Sequence, residues 1–158
     1  MQRAMKHVSD SKTEQIQIIM SQHINGYSRL FGGQLVEWID VVAAVVARRH
    51  CNCKVTTVSI DNLHFKAPAY VDNTIVLIGQ ITYVGMTSME VRVDTFVEHI
   101  NGEKQLVNRA YLTMVALDDQ ERPTIVPLLE LETEEERIEW EAGAKRSALR
   151  KQRRIEQY

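Results

Sequence analysis

The chain has little of what would mark a secreted, membrane-spanning or polyanion-binding protein. Its only two cysteines are Cys51 and Cys53. They are too few and too close for a disulfide framework. With His50 beside them they make at most three metal ligands, with no second cluster to complete a zinc site. The expectation is two reduced thiols at a helix end and no metal. No apolar run approaches the roughly 20 residues that a membrane helix needs. The opening stretch MQRAMKHVSDSK lacks the apolar core of a secretory signal. A net charge of −2 leaves no surplus of either sign for a polyanion. Three prolines and seven glycines form no flexible linker, and no segment repeats. These absences predict one cytoplasmic domain over 1–158, with no membrane and no nucleic acid as partner.

What is present is an ordinary globular composition, 44% apolar and 25% charged in 158 residues, long enough to enclose a core. One stretch departs from the ordinary. Phe31-Gly32-Gly33 is followed by Leu35–Ala47, LVEWIDVVAAVVA, whose only charges are Glu37 and Asp40. A helix apolar on nearly every side belongs in the middle of a protein. Asp40 shares a face with Val36, Ala43, Ala44 and Ala47. A carboxylate among such neighbours is costly unless something pairs with it or uses it. The bland reading is an acid satisfied by His64, an arginine or a strand hydroxyl. The glycine pair at the helix start favours a catalytic site. Glu37 reads equally as a surface acid or as support for Asp40.

Around this helix the pattern has period two. Glu14–Met20 reads as a short strand after a loose arm over 1–12, and 21–31 reads as a loop. The helix ends near Arg49, where Arg48, Arg49 and His50 suit the negative end of the dipole. Four long strands follow: Lys54–Phe65, Thr74–Val84, Ser88–Ile100 and Leu106–Leu117. Gly85-Met86-Thr87 and the hairpin signal Asn101-Gly102 join the later ones. In Lys54–Phe65, Val55, Thr57, Ser59, Asp61 and Leu63 alternate with the rest, and Arg92 and Asp94 are expected to face outward. Pro123 to Pro127 is an extended exit. A charged helix follows over about 133–156, acids first and bases last. Its bases read as a solvated face, or else Lys145, Arg146 or Arg150 holds a phosphate.

One buried helix and several antiparallel strands in short connection predict an α+β fold, a curved sheet wrapped around a central helix with its core over about 14–128. A sheet edge is left poorly covered, which predicts a homodimer.

The residues resemble the hotdog-fold acyl-CoA thioesterases, the group that includes the YciA-type and brain-type acyl-CoA hydrolases. The resemblance runs from about Gln17 to Pro127. It rests on the Asn25 loop, Phe31-Gly32-Gly33, Asp40, Arg49-His50, Thr57-Val58-Ser59-Ile60-Asp61 with Phe65 and Pro68, and Gly85-Met86-Thr87-Ser88-Met89-Glu90-Val91. It implies the hotdog fold and hydrolysis of acyl-CoA without a separate cofactor. It also implies dimers assembled into a hexamer, a trimer of dimers. Asp40 and Asn25 fall on the family's catalytic carboxylate and asparagine, which come from different subunits. The family commonly has glycine where this chain has Ser28, and Gly26 is expected to supply the loop's freedom instead.

Cleaving a thioester needs water activation or direct attack, and stabilisation of the oxyanion. Free N–H groups at the helix start offer the second, with Gly33 N–H as the expected donor and Gly32 allowing close approach. Asp40 serves as general base or as nucleophile, and Asn25 orients water or bonds the thioester carbonyl. Gly32, Thr57, Thr87, Ser88 and Arg146 are the expected substrate contacts, Thr87 and Ser88 by analogy with the pantetheine channel of hotdog enzymes. Two other readings compete. A module that binds acyl-CoA without turnover does not require the acid in the helix. A dehydratase would pair that acid with a histidine, and only His23 and His64 lie in the interior segments.

Overall fold

The computed structural model describes residues 2–158. Five strands form one antiparallel sheet in the order β2-β4-β5-β6-β3. They are β2 (Thr13–Ile18), β3 (Lys54–Phe65), β4 (Thr74–Val84), β5 (Ser88–Glu98) and β6 (Lys104–Leu117). Helix α1 (Gly32–Cys51) packs on one face of the sheet and α2 (Glu134–Glu156) on the other. Two short strands, β1 (Met5–His7) and β7 (Leu128–Glu130), pair in parallel outside the main sheet.

The apolar helix lies where its composition demands. Leu35, Ile39, Val42, Ala43, Val46 and Ala47 are buried against Ile75, Leu77, Met89, Val91, Leu112 and Met114 from three strands. At about 25 cal/mol per Å2, such burial is the main stabilising term. Both helices approach the sheet closely. A Cβ on Gly79 would lie 2.7 Å from Val42 Cγ1, and one on Gly143 would lie 2.6 Å from Tyr83 Cβ. The helix ends at Asn52 in a left-handed cap, with Arg48 and Arg49 in the last turn as dipole and charge require.

The single alternation expected for β3 is interrupted. Thr57 pairs with Met114 but Ser59 pairs with Thr113, so Val58 is a one-residue bulge. Val55 and Thr57 therefore face α1, while Ser59 and Asp61 face α2. Arg92 and Asp94 do point away from α1, but solvent does not reach them. The charged helix lies across that face, and both residues are buried beneath it. The expected solvated face of α2 is corrected for the same reason. Arg146 and Arg150 turn inward to Glu90, which is 1% exposed, with contacts of 2.8 and 3.0 Å. The residues expected as a loose arm are also ordered. Arg3 donates to the carbonyls of Val126 and Gly85, and β1 adds its three pairs to β7.

His50 sits fully buried at the end of α1, its Nε2–H donating to the Pro127 carbonyl at 3.0 Å and its Nδ1 without a partner. Burial pushes its pKa below the ordinary 6.5. The unfolded chain then binds a proton that the folded chain refuses, so stability is present above pH 6.5 and is lost as pH falls from 6.5 towards the folded value. Thermal melts at stepped pH should show this loss, and His50→Asn should flatten the dependence across that window.

Candidate active site

Asp40 lies on the third turn of α1, half-buried, on the side facing β3. Its Oδ1 accepts a hydrogen bond from Thr57 Oγ1 at 2.6 Å, a length typical of a hydroxyl meeting a charged carboxylate. The Thr57 hydroxyl also rests 3.4 Å from Met114 Sδ. A strand hydroxyl thus satisfies one carboxylate oxygen, and Oδ2 accepts no bond from the described residues. No histidine joins the pair. His64 pairs in register with Arg109 on the far face of the sheet, and His23 stacks edge-on against Trp38 at 4.9 Å. The acid–histidine arrangement of a dehydratase is absent among the described residues. Glu37 is exposed and touches only Gln34 at 3.5 Å, which makes it a surface acid.

The start of α1 carries no side-chain cap. The Gln34 and Leu35 N–H groups turn back to the Phe31 carbonyl at 3.0 and 3.2 Å, and the N–H groups of Gly32 and Gly33 stay free. The Phe31 ring lies over Gly33, where a Cβ would come within 2.5 Å of it. Gly32 faces Phe65, with 3.4 Å left for a Cβ. The two glycines therefore leave a narrow bare strip of backbone between two aromatic rings.

Asn25 sits in the exposed loop before α1. Its Oδ1 accepts from the N–H groups of Tyr27 at 2.9 Å and Arg29 at 3.3 Å, which leaves Nδ2 as the free, donating end. The loop is pinned by Leu30 N–H to the Ala69 carbonyl and by Phe31 N–H to the His23 carbonyl, both 2.8 Å. Asn25 lines a cavity of about 310 Å3 with Leu30, Leu35, Phe65 and Lys66, and neither Asp40 nor Thr57 belongs to its lining. The freedom expected of Gly26 is in fact taken by Ser28, at φ 58°, while Gly26 stays out of the left-handed region.

Thr87 and Ser88 line a different cleft, on the α2 side of the sheet, where the Gly85 N–H closes the turn on the Ser88 carbonyl at 2.9 Å. Arg146 does not reach it. Its guanidinium is committed to Glu90 by two bonds of 3.0 and 2.8 Å and lies 3.7 Å above the Tyr111 ring. Burial opposes its charge, yet Glu90, Tyr111 and Glu139 together raise its pKa. As a substrate contact it is corrected to a bolt between α2 and the sheet. The sequence reading missed Glu90, whose place in the motif Thr87–Val91 hid that it is the carboxylate α2 is built to meet.

An L residue in the left-handed region costs roughly 1–2 kcal/mol, and the Ser28 side chain makes no offsetting bond among the described residues. Ser28→Gly should raise stability by about 1 kcal/mol, read as a Tm about 2–4 °C higher by calorimetry.

A profile of the thioesterase superfamily matches residues 27–103. The chain is 36% identical over 146 residues to the uncharacterized acyl-CoA thioester hydrolase YkhA of Bacillus subtilis, covering 92% of this chain and 85% of that protein. It is similar in structure to the acyl-CoA hydrolase of Staphylococcus aureus, solved with butyryl coenzyme A, coenzyme A and coenzyme A disulfide. There the TM-score is 0.92 at 34% identity, over 97% of this chain and 94% of the other. Alanine variants of that enzyme have been solved at an aspartate, an asparagine and a threonine. A hexameric acyl-CoA thioesterase superposes with TM-score 0.91 at 37% identity, over 95% of this chain and 97% of its own. With the wrapped helix, the glycine-marked helix start and the acid within it, these likenesses show that the chain belongs to the hotdog-fold acyl-CoA thioesterase family.

Proposed function

We propose that this chain hydrolyses the thioester of acyl-CoA to a free carboxylic acid and coenzyme A, with Asp40 as the reacting carboxylate. The observation that carries the reading is the second oxygen of Asp40, which accepts no bond from the described residues inside an otherwise apolar helix, while Thr57 holds the first at 2.6 Å. Binding alone gives no reason to place a carboxylate there. The variants of the Staphylococcus aureus enzyme support the same choice. Its asparagine precedes the aspartate by 15 residues and its threonine follows by 17, the separations of Asn25, Asp40 and Thr57.

Each group has a task that its geometry suits. Thr57 fixes one oxygen of Asp40, and the other takes the proton of an attacking water. The Gly33 N–H, at the positive end of the α1 dipole, faces the oxygen on which charge develops. Asn25 adds a donor from Nδ2, because its carbonyl oxygen is already held by the loop. The protein works in the cytoplasm and needs no metal or redox cofactor.

The site is completed by a second copy. Strand β3 is an edge of the sheet. It exposes Val58 at 55% and Phe65 at 54%, and Tyr27 and Phe31 stand exposed on the loop nearby. Pairing of two β3 edges covers this apolar row and brings Asn25 of one protomer to Asp40 of its partner. Three such dimers make the hexamer.

Asp40→Ala and Asn25→Ala proteins should each lose nearly all turnover of short to long acyl-CoAs, read as thiol release. Unfolding and refolding the two together should restore about a quarter of wild-type activity, because half the random dimers carry one intact site of two. A mixture as inactive as its parts would place both residues in one protomer. A single turnover in 18O-labelled water should put the label in the product acid and none in the Asp40 carboxylate. Label recovered in Asp40 would mean direct attack through an anhydride.

A further inference from the structure

The two cysteines take no part in the chemistry proposed above, yet the fold brings them together. Cys51 is the last residue of α1, Cys53 stands directly before β3, and only Asn52 separates them. Asn52 adopts the left-handed region at φ 54° and ψ 32°, so the chain turns at this single residue. The turn crosses the two side chains. Cys53 Sγ donates to the Cys51 carbonyl at 3.3 Å, and Cys51 Sγ lies 3.8 Å from the Cys53 carbonyl. Each sulfur therefore rests on the backbone of the other residue. Cα atoms two residues apart are separated by about 7 Å in a fully extended chain and by less across a turned residue. The turn brings them within the roughly 4.4–6.8 Å that a disulfide spans.

The two thiols are not equivalent. Cys51 is 8% exposed and belongs to the core under α1, whereas Cys53 is half-buried and packs against the edge of that core. Burial pushes the Cys51 thiol up from its ordinary pKa, by more than its contact with the Cys53 backbone lowers it. A cation stands at the same turn. Lys6 Nζ donates to Asn52 Oδ1 at 2.6 Å and to the Arg49 carbonyl at 2.8 Å. A nearby ammonium favours a thiolate at the more open sulfur. One accessible thiol with a cation at hand, and one buried thiol crossed over it, are the parts of an attacking and a resolving cysteine. Core filling alone needs neither the crossing nor the cation.

We propose that Cys51 and Cys53 form a dithiol that exchanges with low-molecular-weight disulfides and closes into an intrachain bridge. The Cys53 thiolate attacks one sulfur of the small disulfide RS–SR. A Cys53–SR bond forms, the S–S bond breaks, and RS⁻ leaves and takes up a proton. Cys51 gives its proton to solvent and attacks Cys53 Sγ, and the second RS⁻ departs. The protein is oxidised by two electrons, and RS–SR is reduced to two RSH. Excess thiol reverses both steps. The bridge ties the end of α1, which carries Asp40, to the start of β3, which carries Thr57. None of this rests on the hydrolase reading.

The test is incubation of the folded full chain with glutathione disulfide at mildly alkaline pH, followed by alkylation and intact-mass measurement, before and after excess dithiothreitol. Wild type should lose both free thiols and about two mass units, and should regain both with dithiothreitol. Cys51→Ala should stop as the mixed disulfide, gaining one glutathionyl group at Cys53. Cys53→Ala should react at least about tenfold more slowly than Cys51→Ala, because its remaining thiol is the buried one. Thermal melts show whether each variant is folded, and if either is not, the wild-type masses decide alone. A glutathionylated wild type that never closes, a bridge formed only between chains, thiols that react only in denaturant, or equal rates in two folded variants would each overturn the proposal. Acyl-CoA turnover does not enter these readings, so the hydrolase reading and the dithiol stand or fall separately.

Discussion

The molecule is organised by the need to enclose α1. Its apolar residues point in nearly every direction, and a helix of that kind has no stable place except inside something. The sheet supplies the enclosure by curling around it, and Gly79 lets β4 come close enough to do so. The gap that remains is on the side of Asp40, where the nearest strand is β3. A carboxylate placed there must be met by a donor, and Thr57 is the residue that β3 brings to it. The chemistry of the site is therefore a by-product of how the helix is covered, and the two cannot be altered separately.

Covering α1 uses one face of the sheet and leaves the other. That second face is not apolar. Glu90, Arg92 and Asp94 line it in alternation, with Arg109 and Tyr111 from β6. Each would be costly to bury alone. α2 resolves this by bringing charge to charge: Arg146 and Arg150 to Glu90, and Glu139 to Arg92 at 3.2 Å. Arg109 holds Asp94 at 2.6 Å, and the bond raises the arginine's pKa. Such networks add little net stability over an apolar packing, but removing one partner strands the other, at a cost of about 3–5 kcal/mol. The contact is one of register more than of strength. It fixes which turn of α2 lies over which strand.

The elements that were legible in the sequence are those whose signal is local. Period two in four long segments and an unbroken apolar run between glycines and bases define the sheet and α1 within a few residues. Asp40 stood out because a charge inside that run breaks the pattern. What was not legible depends on contacts distant in sequence. Arg92 and Asp94 alternate with valines as surface residues do, and only the arrival of α2 buries them. The bulge at Val58 leaves no local trace, since Thr57, Val58 and Ser59 all suit a strand. Ser28 in the left-handed region runs against its own preference and is imposed by the Val71 N–H reaching its carbonyl at 3.2 Å. The hold of the loop on Asn25 Oδ1, which leaves Nδ2 free, is a property of the folded chain, and no spacing in the sequence expresses it.

The slip at Val58 makes one strand answer to two masters. Before it, β3 reads towards the helix and its acid; from Ser59 to Asp61 it reads towards α2, until a second shift of register before His64. A shift of one residue in β3 against β6 would withdraw Thr57 from Asp40 and Asp61 from Arg150 in the same movement. The two faces of the sheet, though separated by its full thickness, are thereby geared together through a single backbone register.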